Sequence, residues 1–178
     1  MRLFVAIDLP EHVKEQVAGL CCGLPGARWL KPGQLHLTLR FIGEVDGGMF
    51  RDIREGLLDV RQEQLSLRLD GVGFFPPRGK PRVVWVGLQQ SVDLFQLHDR
   101  INSRLTALGL EPETRKFAPH ITIARLKNTP PARVGRFLEN HNLFCSAPFW
   151  VDEFFLYSSR LGRNGAIHRI EAGYPLAV

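Results

Sequence analysis

The chain has 178 residues, of which 44% are hydrophobic and 23% are charged, and its formal net charge is +5 at pH 7. This length suits one domain with a well-buried core, and the composition excludes an intrinsically disordered chain. No apolar run is long enough to span a bilayer or to form a secretory signal, so we expect a cytoplasmic protein with no membrane partner. The positive charge permits a polyanionic partner without establishing one.

The first half of the chain predicts alternating strands and helices. The continuous apolar run 3–9 is typical of a buried strand, and Pro10 is suited to open an amphipathic helix. A strand follows over 35–42, and Asp46 is positioned to cap a second helix. The stretch 65–75 is expected to be mostly extended.

The second half repeats this order of elements after a loop. Segment 76–82 contains four turn-forming residues and three cations, which excludes a regular element. Ser91 is positioned to cap a long amphipathic helix. The other elements predicted in this half are strands over 83–88, at 120–123, over 149–157 and over roughly 166–173, and a helix that starts at 129–131.

The three cysteines do not follow a disulfide or metal-binding pattern. Cys21 and Cys22 are adjacent and therefore rarely bridge each other, and Cys145 lies far along the chain. A reducing compartment fits this usage, in agreement with a cytoplasmic location.

One tetrapeptide pattern occurs twice, as His36-Leu37-Thr38-Leu39 and as His120-Ile121-Thr122-Ile123. Because side chains alternate between the two faces of a strand, each histidine shares a face with its threonine, and the apolar residues take the other face. Such a strand packs its apolar side on a core and opens its polar side to a cleft. One copy would be close to noise, whereas two copies predict two imidazoles that act on one small group.

The two halves, roughly 1–78 and 79–178, indicate an internal duplication within a single domain that spans 1–178. Arg2 aligns with Arg82 at an offset of 80 positions, and the two tetrapeptides are offset by 84. Equivalent strands in two similar lobes would meet across a pseudo-twofold axis. We therefore expect a bilobed α+β fold with two antiparallel sheets, helices on the outside and a central cleft.

Longer strings around these repeats resemble a known family. The strings are Arg2-Leu3-Phe4-Val5-Ala6-Ile7, His36-Leu37-Thr38-Leu39-Arg40-Phe41-Ile42-Gly43 and Pro119-His120-Ile121-Thr122-Ile123-Ala124-Arg125. They resemble the two-histidine phosphoesterase superfamily, and within it the RNA 2′,3′-cyclic phosphodiesterase branch, also called 2′-5′ RNA ligase. The resemblance covers essentially the full chain. It implies hydrolysis of 2′,3′-cyclic phosphate ends of RNA to 2′-phosphomonoesters, with no cofactor.

The residue types suit this chemistry. Opening a cyclic phosphodiester with water requires one proton removed from water and one delivered to the leaving oxygen, and histidine, with a pKa of ~6.5, serves both roles without a metal. The resemblance implies that His36 is the proton donor and His120 the acceptor, which the symmetry of the sequence alone does not assign. The hydroxyls of Thr38 and Thr122 can donate to phosphate oxygens.

Phe41 and Arg125 each stand five residues after a histidine. Strict alternation would bury both, which is intolerable for arginine, so we expect a bulge or a strand end before Arg125. The resemblance suggests that Arg125 contacts phosphate and that Phe41 stacks on a base, with core packing of Phe41 as an open alternative. Arg40 is expected on the face of His36, where a phosphate contact and a solvent-exposed or salt-bridge role are both open.

Several interpretations stay open. The cations of 78–82, with Arg115 and Lys116, are either part of an RNA channel or simply solvated, and His168 is unassigned. A metal hydrolase fails on ligand spacing, because neither motif carries a His-x-His or His-x-x-x-His pair. A non-catalytic RNA-binding module and 2′-5′ ligation by the reverse reaction remain alternatives. We expect a monomer.

Overall fold

The computed structural model describes residues 1–163 and 165–178, which form ten strands and four α-helices. The strands are β1 (Arg2–Asp8), β2 (Ala27–Trp29), β3 (His36–Glu44), β4 (Leu65–Leu67), β5 (Leu69–Phe75), β6 (Val83–Leu88), β7 (His120–Leu126), β8 (Phe149–Val151), β9 (Glu153–Gly162) and β10 (Gly165–Pro175). The helices are α1 (Glu11–Ala18), α2 (Gly47–Gly56), α3 (Val92–Ala107) and α4 (Pro131–His141). The predicted α+β class is confirmed.

The strands form two antiparallel lobes that join edge to edge. The main sheet has the order β10-β9-β1-β3-β7-β6-β5, with β2 paired to β7, and β4 and β8 form a separate ribbon. The first lobe (β10, β9, β1, β3) meets the second lobe (β7, β6, β5, β2) where Leu37 pairs with Ile121. Because these residues occupy equivalent motif positions, a pseudo-twofold axis passes between them.

The lobes do not coincide with the sequence halves. β5 belongs to the first half of the chain but pairs with β6, and β9 belongs to the second half but pairs with β1. Each half thus supplies an outer strand to the lobe of the other. The sequence alignment of β1 with β6 is also one position out, since Asp8 pairs with His36 while Gly87 pairs with His120, an offset of 79.

The helices are capped where the sequence predicted. The side chain of Asp46 accepts a hydrogen bond from the amide of Met49 at 2.8 Å, and that of Ser91 accepts one from the amide of Leu94 at 3.2 Å. Each bond satisfies an amide that has no partner within its helix. None of the helices in the described residues is long and apolar enough to cross a membrane.

One face of the sheet packs against the helices. The largest core cluster combines apolar strand residues with helix residues, among them Leu37, Leu39, Ile121, Ile123, Ile53, Leu97 and Ile101. Burial of each such side chain contributes about 1.5–3 kcal/mol. The histidines and threonines of the motifs lie on the opposite face, which leaves them free to line a pocket.

A bulge in each motif strand controls which side chains reach the pocket. The pairing register skips Leu39 in β3 and Ile123 in β7, so that two consecutive residues of each strand are buried. Alternation then resumes, and Phe41 and Arg125 return to the face of the histidines, exposed to solvent. The bulge predicted before Arg125 is confirmed.

The same bulge makes the expected position of Arg40 wrong. Arg40 is 8% exposed and lies on the helix side of the sheet. Its guanidinium donates to the carbonyl of Glu111 and forms an ion pair with Glu113 at 3.3 Å. Of the two open roles, the salt bridge is therefore the one observed, and it fastens the segment that precedes β7 to β3.

Candidate active site

A pocket of about 440 Å³ is lined by residues from both lobes. It contains all six side chains that the sequence singled out: His36, Thr38, Phe41, His120, Thr122 and Arg125. Its other polar or aromatic lining residues are Arg2, Phe4, Arg28, Gln34, Ser159 and His168. Strands from both lobes thus converge on one cavity of a size that suits a small ligand.

The pocket is electropositive. Arg2, Arg28 and Arg125 contribute three cations, and none of the lining residues within the described chain is Asp or Glu. The cations proposed for an RNA channel, Arg78, Lys80, Arg82, Arg115 and Lys116, are absent from the described lining. Lys80 instead donates to the side chain of Asn128 at 3.0 Å. Arginines from strands therefore supply the field that an anion would meet.

Both imidazoles are held by backbone carbonyls. Nδ1 of His120 donates to the carbonyl of Ala118 at 2.7 Å, and the ring of His36 hydrogen-bonds to the carbonyl of Gln34. Each carbonyl belongs to the residue two positions before the histidine. A carbonyl only accepts, so Nδ1 of His120 carries the proton and Nε2 of the neutral ring keeps its lone pair for a proton from the pocket.

The surroundings of His36 disfavour its charged form. The rings of Phe4 and His168 lie 4.9 and 5.2 Å from the His36 ring, centroid to centroid, and that of Tyr157 lies at 6.1 Å. Burial lowers the pKa of His36 to about 4, and positive charge on His168 acts in the same direction. His36 is therefore mostly neutral near pH 7.

His120 has a different aromatic environment. The Phe75 ring meets it edge to face at 4.9 Å, and the Trp85 ring lies at 6.3 Å. A β-carbon added to Gly73 would lie 2.2 Å from the Trp85 indole, so the absence of a side chain there lets the indole cross the strand. Trp85 is thus a packing residue, as predicted, and it packs beside the site.

Sequence reasoning missed the contribution of β10. His168 lines the pocket and contacts the rings of His36 and Phe4, a position that the sequence pattern does not assign. Alternation along the predicted strand would have placed Ala166 and His168 on one face, which is the only signal the sequence holds. Which face of β10 borders the pocket depends on the pairing of β10 with β9, and the sequence does not show that pairing.

No cluster of three or more His, Cys, Asp or Glu side chains within 1–163 and 165–178 is arranged to hold a metal ion.

Two strand-borne His-Thr pairs that share one pocket define a two-lobed phosphoesterase architecture. The family model of the 2′-5′ RNA ligase superfamily matches residues 9–163, and the chain belongs to this superfamily. It is 36% identical to the RNA 2′,3′-cyclic phosphodiesterase of Thermotoga maritima over 176 residues, which is 96% of this chain and 92% of the relative. It is 32% identical to the enzyme of that name from Archaeoglobus fulgidus over 172 residues, 95% of this chain and 97% of the relative. A solved structure of E. coli LigT complexed with 3′-AMP superposes with a TM-score of 0.80 at 29% identity and covers 98% of this chain and 97% of LigT.

Proposed function

We propose that this protein hydrolyses RNA 2′,3′-cyclic phosphate ends to 2′-phosphomonoesters, with His36 and His120 as its acid–base pair. One observation carries the proposal: both imidazoles line a single electropositive pocket, each hydrogen-bonded to a carbonyl two residues before it. The names of the relatives from Thermotoga maritima and Archaeoglobus fulgidus support the same reaction.

The two imidazoles account for both proton transfers. A water oxygen forms a bond to phosphorus while the bond from phosphorus to ribose O3′ breaks. His120 accepts the proton of the water at Nε2, and His36 delivers a proton to O3′. Exchange with solvent then restores both rings. No step of this sequence requires a metal ion.

The acid role of His36 depends on the substrate. With a pKa of about 4, His36 is mostly neutral near pH 7. A phosphodiester anion beside the ring offsets the repulsion from neighbouring cations and favours the imidazolium. Substrate binding thus supplies the charge that makes His36 a proton donor.

Thr38, Thr122 and Arg125 are the proposed phosphate ligands. Each threonine lies two residues after its histidine on the pocket side of its strand, where its hydroxyl can donate to a non-bridging oxygen. The guanidinium of Arg125 can form charge-assisted hydrogen bonds to the same group. As the negative charge of phosphorus oxygens grows in the transition state, these donors stabilise it.

Phe41 is the proposed platform for a nucleobase. Its side chain is 63% exposed, which is unusual for phenylalanine and removes core packing as an explanation. Stacking of one base on an aromatic ring is worth about 1–3 kcal/mol in single-strand binding. The LigT complex with 3′-AMP supports a nucleotide as ligand of this fold.

As part of this proposal, the protein works in the cytoplasm as a monomer. The three cysteines are unbridged in the described chain, and two of them, Cys22 and Cys145, are exposed. Such thiols stay reduced in a cytoplasm. All six proposed site residues come from one chain, so no second copy is needed to complete the pocket.

The test is turnover of an oligoribonucleotide that ends in a 2′,3′-cyclic phosphate, with chelator present. We expect a 2′-phosphomonoester product, and a loss of on the order of 10²–10⁴-fold in kcat/KM for His36→Ala or His120→Ala. Activity that is abolished by chelator and restored by a divalent ion would contradict the mechanism. Tight RNA binding without turnover would instead indicate a binding module. Net joining of a cyclic-phosphate end to a 5′-hydroxyl end would indicate that ligation dominates.

A further inference from the structure

The pseudo-twofold axis gives the two motif histidines equivalent positions, so any difference between them must come from residues that break the symmetry. β9 in the first lobe corresponds to β5 in the second, since they pair with the equivalent strands β1 and β6. β9 is followed outward by β10, whereas β5 ends the described sheet. β10 is therefore an asymmetric element next to the pocket, as is β2, which pairs with β7 alone in the described sheet and contributes Arg28.

β10 places one chemically active side chain in the pocket, His168. Its ring meets the His36 ring at 5.2 Å and an interplanar angle of 76°, and meets the Phe4 ring at 5.0 Å and 84°. Both contacts are edge-to-face arrangements, which aromatic rings favour. His168 thus packs directly on one catalytic candidate, and no strand of the second lobe offers His120 such a neighbour among the described residues.

The fold alone does not explain why this residue is a histidine. Nδ1 of His168 is buried and has no hydrogen-bond partner among the described residues. An unpaired buried nitrogen destabilises a protein, and a phenylalanine would give the same ring packing without that cost. What histidine adds is the capacity to carry charge beside His36.

Gln34 links β10 to His36. Its carbonyl holds the His36 ring, and its side-chain amide donates to the carbonyl of Ala166 at 2.8 Å. Ala166 lies two residues before His168 on the same side of β10. These two contacts of Gln34 tie β10 to the start of β3, where His36 lies.

We propose that His168 is a positioning residue that holds the His36 ring in place and opposes its charge, and so makes the two symmetric histidines chemically unequal. The inference rests on the proposed function, because it assigns the two rings different proton-transfer roles. As a consequence of the ring contact with His168, His36 stays uncharged until an anionic phosphodiester enters the pocket. His168 makes no such ring contact with His120 among the described residues.

The charges around His168 agree with this role. The titratable and charged groups that share its pocket are His36 on β3, His120 and Arg125 on β7, Arg2 on β1 and Arg28 on β2. On β9 its cross-strand partner is the neutral Ser159, and on β10 the neighbouring Arg169 is largely exposed and ion-paired with Glu171. Burial lowers the pKa of His168, and the charge of Arg125 lowers it further. None of the groups that share its pocket is an anion, and three of them are arginines, so the charges in the described pocket oppose protonation of His36 and His168.

The test combines two substitutions with NMR titration of the His36 ring, assigned with the help of His36→Gln. His168→Ala removes both the ring and its charge, whereas His168→Phe keeps the ring and removes the charge. We expect the His36 pKa to rise from about 4 in both variants. The rise should be larger in His168→Ala, because this variant also reduces the burial of the His36 ring, whereas His168→Phe removes only the charge. We expect kcat/KM to fall about 10–100-fold in His168→Ala, as for a misplaced catalytic group, and to recover most of that loss in His168→Phe. His12→Gln, on the exposed surface of α1, is the matched control and should change neither quantity.

An unchanged His36 pKa in His168→Phe overturns the electrostatic role, and an unchanged kcat/KM in His168→Ala overturns the positioning role. If His168→Ala unfolds, the pKa of His36 in His168→Phe decides the electrostatic role, and a large loss of kcat/KM in that variant, despite its ring, overturns the positioning role. The titration needs no turnover. If the wild-type protein fails to hydrolyse the cyclic phosphate, the proposed function is refuted. The titration still shows whether the pKa of His36 depends on His168.

Discussion

His36 and His120 show how identical residues in equivalent positions acquire different chemistry from their surroundings. His36 is enclosed by Phe4, Tyr157 and His168, while His120 is flanked by Phe75 and Trp85. Enclosure disfavours the charged form of His36, so in the proposed mechanism the substrate anion is needed to charge this ring. The division of labour is therefore a testable property of the two side chains.

The first prediction tests this division with a modified leaving group. In a cyclic substrate whose departing 3′ oxygen is replaced by sulfur, the thiolate leaves with little need for protonation. His36→Ala should recover much of its rate on this substrate, because the missing acid is no longer required. His120→Ala should not recover, because water still needs a base. The measurement is kcat/KM of each variant on the oxygen and sulfur substrates.

The two other outcomes have distinct meanings. Rescue of His120→Ala in place of His36→Ala would reverse the assigned roles. Rescue of neither variant would show that separate acid and base roles are wrong.

The second prediction concerns Arg125. Arg125→Ala should raise the KM for the cyclic phosphate about 10- to 100-fold, the amount expected for a lost hydrogen bond to a charged group. Arg125 is exposed, so its removal should leave the thermal unfolding midpoint nearly unchanged. Arg133→Ala, at an exposed position on α4, is the control for the loss of one positive charge. A variant that unfolds yet keeps its specific activity would make Arg125 a structural residue.

At the scale of elements, the bulges in β3 and β7 bring Phe41 and Arg125 to the same face as the motif histidines. Without them Arg125 would face the helices, and the pocket would lose both this guanidinium and the exposed ring of Phe41. The burial patterns of the two strands agree position by position from the histidine to the residue five places on. The duplicated feature is therefore a strand of defined shape as well as a sequence.

The third prediction tests the packing that supports His120. Gly73→Ala would place a methyl group 2.2 Å from the Trp85 indole, so the indole must move. We expect a loss of about 1–3 kcal/mol in the free energy of unfolding, as for overpacking, and a lower kcat because Trp85 neighbours His120. Gly135→Ala is the matched control, since nothing lies within 4 Å of the added carbon; within α4 it should stabilise by up to about 1 kcal/mol. Equal effects of the two substitutions would exclude this packing role.

Local sequence patterns predicted the helices and strands well, but they did not predict which strands pair with each other or in which register. The caps at Asp46 and Ser91 and the strand at Val83–Leu88 follow from propensities and periodicity that act within a few residues. The buried position of Arg40 and the pocket position of His168 depend on a bulge register and on the β9–β10 pairing. These are long-range outcomes of packing, which no short window of sequence encodes.

The chemistry was more predictable than the geometry that supports it. All six predicted side chains line one pocket. The doubled His-x-Thr pattern places the two histidines and two threonines on one face by alternation alone, whereas Phe41 and Arg125 reach that face only through the bulges. The alignment of β1 with β6 was wrong by one residue because it matched Arg2 with Arg82 by sequence similarity. The hydrogen-bond pairing of the two strands with the motif strands follows an offset of 79. Gly87, paired with His120, has no sequence similarity to Asp8, paired with His36.

At the scale of the whole molecule, the fourth prediction links the site to stability. The pKa of His36 is lowered to about 4 in the folded protein and is ~6.5 in the unfolded chain. Between these values the unfolded state binds more protons, so stability rises with pH. Lowering the pH from ~6.5 to about 4 should cost up to about 3 kcal/mol from this group alone. Chemical denaturation of wild type and His36→Gln across this range measures the difference.

The control is the behaviour above pH 7, where His36 is neutral in both states and the two proteins should show parallel stability curves. A difference between wild type and His36→Gln that stays constant from pH 4 to pH 7 would show that the environment does not lower the His36 pKa.

The exchange of outer strands between lobes has a consequence for synthesis on the ribosome. β1 and β3 can pair early, but β9, which covers the other edge of β1, follows about 145 residues after β1 ends. At 5–20 residues per second, that edge waits roughly 7–30 s for its partner. An uncovered apolar strand edge invites pairing with other chains, so this interval is when the nascent protein is most prone to aggregate. The same late segment brings β10 and its imidazole, so a chain that stops early lacks both its covered edge and a wall of its pocket.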